Sequence, residues 1–295
     1  MPIHSLCILH YYTMTSNIRI CMLNADIPVP NVFAQRAPTY GRIFHQLLAQ
    51  ASPKITIQST DFDVIQDKYP GSLEDFDAII VSGSANSAYD DLPWIHKLDA
   101  YVRDVYTHHP HIKIFGSCFG HQIICQSLLK EYGVKVVQDL NGWEIGVKNI
   151  TLHSRFREVF GKRTESANVA ESMRLQFVHH DHVVIPSPEL LPTSWMSVGN
   201  TQHCAVQGVY EPGRVLTLQG HFEFDRFANS ECIKHFFEPI WEAERLQEAL
   251  AAIEADDDSK DAARMIVGFF MEAGVAQDGA GHDVIGGLLT PPNEL

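Results

Sequence analysis

The chain has 295 residues, 45% of them hydrophobic, with 22 Lys and Arg against 36 Asp and Glu, enough apolar material to bury a core without disulfide or metal staples. Of its net charge of −14, residues 241–295 supply 12 Asp and Glu against 3 Lys and Arg, so the body before them is near neutral. That excludes the basic footprint of nucleic-acid binding.

Six cysteines (Cys7, Cys21, Cys118, Cys125, Cys204 and Cys232) form no CxxC pair. This argues against a disulfide framework or zinc ribbon and for a reducing compartment. No run approaches the ~18 apolar residues of a membrane span, and residues 1–17 lack the basic start of a secretory signal. A cytoplasmic chain is expected, with 1–17 as an N-terminal extension, 18–273 as one domain and 274–295 as a flexible, Gly-rich tail. The acidic run 254–261 reads as a solvated helix end or loop.

In chain order, "NIRICMLNAD" (17–26) reads as a strand. "DIPVPNVFAQRAP" is expected to be irregular because its prolines remove donors and fix φ. "TYGRIFHQLLAQA" places Ile43, Phe44, Leu47 and Leu48 on one helical face. "ITIQSTDF" alternates as a strand does, and "DAIIVSGS" is a buried parallel strand ending in small residues. "PWIHKLDAYVRDVY" is helical, with Pro93 in its first turn. "IKIFG" is a short strand that leads through Cys118 into a helix carrying Ile123, Ile124, Leu128 and Leu129, with Gly133 as its C-cap.

The second half adds strands at "VKVVQ", "IGVKNITLH", "RLQFVHH", "WMSVGN", "CAVQGVY" and "RVLTLQG". "YEPGR" supplies hairpin chemistry between the last two. Residues 225–250 read as helical, and a last helix covers about 261–273. The pattern predicts an α/β fold: a flavodoxin-like open sheet with a mostly parallel core, a nucleophile elbow and antiparallel strands in the second half.

"GSCFGHQ" (116–122) puts Cys118 on a strand-to-helix turn. There the helix N-terminus favours negative charge and the sulfur stands above the C-terminal edge of the sheet. Gly116 and Gly120 permit the tight turn that such an elbow needs. A thiol acting on a carbonyl also needs a base and a group that orients the base. In "LTLQGHFEF" (216–224), an extended backbone would point His221 and Glu223 to one side. An oxyanion needs backbone N–H groups, for which Gly83 and Ser84 in "VSGSANSAYDD" allow close approach. Cys125, seven residues beyond Cys118 on the apolar face, reads as core. "HHPH" (108–111) reads as exposed punctuation. "HHDH" (179–182) lacks the geometry of a compact metal site, since strand neighbours face opposite ways, so no metal is expected. Trp143-Glu144 is left open between pocket lining and hairpin packing.

These pieces, in this order, resemble the class I glutamine amidotransferases. "GSCFGHQ" is similar to their G-x-C-x-G-x-Q elbow, "GHFEF" to their His-Pro-Glu segment and "SGSANSAYDD" to their oxyanion loop. "YGRIFHQLL", "DDLPWIHKL", "GWEIGV" and "HHDHVVIP" extend the likeness over residues 18–273. The resemblance implies a triad of Cys118, His221 and Glu223. It also implies substrate contacts from Gln122, Val178 and His179, an oxyanion hole from Gly83 and Ser84 completed by the Cys118 N–H, and no cofactor. Phe222 stands where that motif has proline, Ser84 where the loop has a second glycine, and neither a fused synthetase domain nor an ATP-binding loop is expected.

The leading expectation is a stand-alone enzyme that hydrolyses the glutamine side-chain amide through a γ-glutamyl thioester. It would supply ammonia to a separate amide-forming enzyme, as stand-alone relatives do in biosynthesis and specialised metabolism. The second is a γ-glutamyl peptidase acting on glutathione or its conjugates, favoured by a roomier exit beside Cys118. The third is a non-catalytic binding protein on the same scaffold.

Overall fold

The computed structural model describes residues 16–166 and 168–273. A seven-stranded sheet runs in the order β2-β1-β3-β4-β12-β11-β9. Its strands are β1 (Asn17–Asn24), β2 (Thr56–Asp63), β3 (Ala78–Val81), β4 (Lys113–Ser117), β9 (Met196–Ser197), β11 (Val209–Glu211) and β12 (Val215–Leu218). The first five in spatial order pair parallel, the flavodoxin-like arrangement. The last two add antiparallel through the hairpin at Glu211–Val215.

Alternation along these strands sorts the core into two layers. Ile18, Ile20, Met22, Ile80, Phe115 and Leu216 face one side, and Cys21, Leu23, Ile79, Val81, Ile114 and Val215 face the other. The first layer is covered by α2 (Tyr40–Ala51), α5 (Ser154–Arg163) and α8 (Ser259–Met271), through Phe44, Phe156 and Ile266 among others. The second is covered by α3 (Pro93–His108) and α4 (Phe119–Leu129), through Leu98, Val102, Ile123 and Ile124. Thr39 caps α2 by accepting from the Arg42 N–H.

Beside the main sheet lie two smaller ones: β6 (Glu144–Leu152) between β10 (Gly199–Asn200) and β7 (Ser172–His179), and β5 (Lys135–Gln138) paired with β8 (Asp181–Val184). The consequence for function is a single backbone bridge, in which the His221 N–H donates to the Gln176 carbonyl at 2.8 Å. It ties the segment after β12 to β7. A third apolar cluster, around Ile145, Ile233, Phe237 and Ile253, packs α6 (Arg226–Phe237) and α7 (Ala243–Ala252) against β6.

Three local expectations are corrected, and one helix is added where none was expected. The Pro-rich stretch after β1 contains a helix, α1 (Pro30–Gln35), because Pro30 sits in its first turn, where a missing N–H does no harm. Helix α5 follows from Phe156 and Phe160, one turn apart, both buried. The helical stretch 225–250 is broken after Phe237, near Pro239, into α6 and α7. Gly133, at φ 81°, caps a short 3₁₀ turn (Lys130–Tyr132) that follows α4, not α4 itself. The expected 274–295 tail and nearly all of the 1–17 extension lie outside the described residues.

Candidate active site

Cys118 has φ 52° and ψ −110° as the residue between β4 and α4. A non-glycine residue there is strained by on the order of 1–3 kcal/mol. The turn is held from both sides. The Cys118 N–H donates to the Leu218 carbonyl at 2.9 Å, and its carbonyl accepts from the Gln122 N–H at 3.0 Å. Gly120 allows α4 to press onto β3, since a Cβ there would lie 2.2 Å from the Val81 carbonyl oxygen.

The first of these bonds corrects an expectation. The Cys118 N–H faces Leu218 and is not available to an oxyanion. Phe119, the next residue and the first of α4, has no carbonyl one turn back within the helix for its N–H.

The segment after β12 brings the base to the thiol. His221 Nδ1 lies 2.7 Å from Glu223 Oε1, as the extended spacing predicted. Its other ring nitrogen is not engaged by Glu223, and the Cys118 sulfur is near enough to raise the basicity of the ring. The imidazole stacks on Phe224 at 4.1 Å with 7° between planes, and Ser117 Oγ lies 3.2 Å from both Glu223 oxygens. Burial alone would lower the basicity of His221. Glu223 and Cys118 outweigh it and raise the imidazole pKa to about 10. Cys21, Cys125, Cys204 and Cys232 are also buried, and burial pushes every one of their thiols up.

Phe222, in the motif's proline position, leaves the His–Glu contact intact. Its side chain is fully buried, 5.3 Å from the Phe44 ring and 5.7 Å from Phe115, so packing holds the segment where a proline ring would stiffen it.

Beyond the predicted residues, a buried polar chain runs away from the sulfur. Gln219 Nε2 donates to Cys118 Sγ at 3.6 Å, and Gln122 Nε2 donates to Gln219 Oε1 at 3.1 Å and to the Asp181 carbonyl at 2.9 Å. His179 Nδ1 meets that same carbonyl at 2.9 Å, while its Nε2 lies 2.8 Å from Glu144 Oε2. Burial would push the Glu144 carboxyl up, but the bonds from His179, Thr201 and Gln207 prevail and hold it below its usual range. Gln122 and His179 therefore have protein partners for their side-chain nitrogens. Gln219 and Ser117 were not singled out from sequence, and Glu144 was named there only as half of the Trp143-Glu144 pair. Gln219 lies two residues before His221, and that spacing was the available signal.

A cavity of about 420 Å³ opens onto this group. Gly83, Ser84, Cys118, Gln122, Val178, His179, His221 and Glu223 all line it, so the structure gathers every predicted site residue at one place. Trp143 lines it too, and Glu144 lies buried behind, which divides the Trp-Glu pair between the two roles left open. The four side chains of "HHDH" go to different partners: His179 to Glu144, His180 onto Trp143, Asp181 to Ser87 and Tyr89, and His182 to Asp139. Among the described residues no three His, Cys, Asp or Glu side chains form a metal-holding group, and no helix is long and apolar enough to cross a membrane.

An open, mostly parallel sheet ending in a cysteine elbow beside a His–carboxylate pair places the chain among α/β enzymes of the hydrolase type. A glutamine amidotransferase class-I family model matches residues 39–239, and the chain belongs to that family. A glutamine amidotransferase-like protein of Schizosaccharomyces pombe, itself only provisionally assigned, is 32% identical over 265 residues, 86% of this chain and 98% of that one. Gamma-glutamyl peptidase 3 of Arabidopsis thaliana is 29% identical over 170 residues, 56% of this chain and 62% of that one. Among solved structures, a glutamine amidotransferase of Thermotoga maritima superposes with TM-score 0.57 at 16% identity, covering 86% of this chain and 96% of its own, a likeness of fold.

Proposed function

We propose that this chain hydrolyses a γ-glutamyl amide whose leaving amine is larger than ammonia. The observation that carries this reading is the cavity at Cys118. Its volume of about 420 Å³ falls within the ~300–1,000 Å³ of pockets that enclose drug-sized ligands, well beyond what free glutamine fills. The Arabidopsis relatives named gamma-glutamyl peptidases support the same class of substrate.

Cys118 reacts as its thiolate, the form in which a thiol is a nucleophile, with the charged His221 ring, held by Glu223, beside it. Sγ attacks the γ-carbonyl carbon, and the oxygen takes up charge beside the Phe119 N–H and the backbone of Gly83 and Ser84. As the C–N bond breaks, His221 gives its proton to the departing amine, leaving a γ-glutamyl thioester. Water then loses a proton to His221 and adds to the thioester carbon, the C–S bond breaks, and glutamate leaves with the thiolate and imidazolium restored. Gln219 donates to the sulfur throughout.

Supply of ammonia from glutamine to a separate amide-forming enzyme uses the same steps, and the family membership favours it as the second reading. The five cysteines among the described residues, all buried and free, support a cytoplasmic setting. Incubation of the purified protein with γ-glutamylglycine and with glutamine, reading glutamate from each, separates these readings. Faster release from the dipeptide, abolished in Cys118→Ala, is expected. Release from glutamine alone supports the ammonia reading, and no glutamate from either rejects hydrolysis and leaves a binding protein.

A further inference from the structure

The cavity has an uneven chemistry that bears on the leaving amine. Asp26 and Asp181 face it, and among the described residues lining it none is Lys or Arg. His221 is already paired with Glu223, so a carboxylate on the leaving group, which unlike the glutamyl α-carboxylate brings no ammonium beside it, would meet acidic side chains and no free counter-charge. The wall is aromatic instead. The Trp143 ring stacks on His180 at 5.1 Å with 28° between planes, and it makes a T-shaped pair with Phe237 at 4.6 Å and 72°. Phe236 lines the same wall with 42% of its surface exposed.

Trp143 is held from behind, since Phe237 is itself stacked on Trp241 at 4.1 Å. A platform fixed in this way accepts a further ring with little loss of side-chain freedom. Such rings gain most from offset or edge-on contact with a flat apolar partner.

From this we infer that the leaving amine carries an aromatic ring and no carboxylate: the substrate is a γ-glutamyl amide of an arylalkylamine, read by Trp143 and Phe236. The inference rests on the γ-glutamyl hydrolase reading. Water enters and the amine leaves protonated, with no co-reactant beyond those of the hydrolysis itself.

The test compares kcat/KM of the full chain for γ-glutamylbenzylamide, γ-glutamylglycine and glutamine. The benzylamide is expected to exceed γ-glutamylglycine about tenfold, and Trp143→Ala to shrink that ratio about threefold to tenfold, the range of an aromatic contact. Phe236→Lys, at an exposed position that tolerates substitution, supplies the missing cation and is expected to raise use of γ-glutamylglycine. Equal or better use of γ-glutamylglycine by the unaltered chain overturns the inference while the hydrolase reading stands. So does a benzylamide preference that survives both substitutions. If no γ-glutamyl compound releases glutamate, the hydrolase reading itself falls.

Discussion

Gly83→Ala tests how tightly the reacting groups are packed. A Cβ at Gly83 would lie 3.1 Å from His221 Cε1 and 3.7 Å from Cys118 Cβ. Ordinary contact begins at 3.4 Å, so the imidazole must yield by about 0.3 Å. It has little freedom to do so, because Glu223 holds Nδ1 at 2.7 Å, Gln176 holds the backbone N–H at 2.8 Å and Phe224 lies against the ring face at 4.1 Å. The backbone of Gly83 lies outside the positive-φ region, so alanine is allowed there and the folding cost is about 1 kcal/mol. That corresponds to a loss of roughly 2–4 °C in Tm.

Catalysis is more sensitive. A misplacement of about 1 Å costs roughly 100-fold. A third of that displacement, with a methyl group beside the substrate carbonyl, therefore predicts a loss in kcat of about tenfold or more. Initial rates of glutamate release, with thermal melts on the same samples, check both numbers. Gly71→Ala, where a Cβ meets nothing within 4 Å, is the control. Wild-type kcat in Gly83→Ala would refute the placement of this loop against the base.

Phe222→Ala removes a fully buried ring and is expected to lower unfolding stability by about 3–5 kcal/mol in urea titration. Phe222→Pro, which restores the family's residue, is expected to be destabilised as well, since proline fills neither the Phe44 nor the Phe115 contact. The raised His221 pKa makes its stabilisation complete below about 6.5 and lost as pH climbs through about 10; Glu223→Gln is expected to flatten that alkaline limb in melts recorded against pH. His121 is the opposite case, with burial foremost and His179 beside it lowering its pKa to about 3. Its neutral form is favoured in the fold above about 6.5, so stability is expected to fall as pH drops from there toward 3, and less steeply in His121→Gln.

The parallel core was legible because buried strands such as Ala78–Val81 read as unbroken apolar runs, and the elbow was legible because a cysteine between glycines follows one of them. His221 and Glu223 were legible because period-two geometry puts them on one side of an extended segment. The donor role given to the Cys118 N–H was not recoverable in the same way. A backbone hydrogen bond to Leu218 depends on how β4 and β12 pair across a long stretch of chain, and side-chain pattern does not encode it. Gln219 escaped notice for a related reason: its amide reaches Cys118 only once those strands lie side by side. Helix α1 was missed because proline was weighed as a breaker without regard to its place in the first turn.

The central claim is that Cys118 carries the γ-glutamyl group. Rapid acid quenching during turnover of a γ-glutamyl amide, followed by peptide mass spectrometry, tests it most directly. The account predicts a γ-glutamyl adduct on the peptide containing Cys118, absent when water has had time to clear it and absent in Cys118→Ala. Glutamate release that persists in Cys118→Ala, or an adduct on Cys232 in its place, would contradict it.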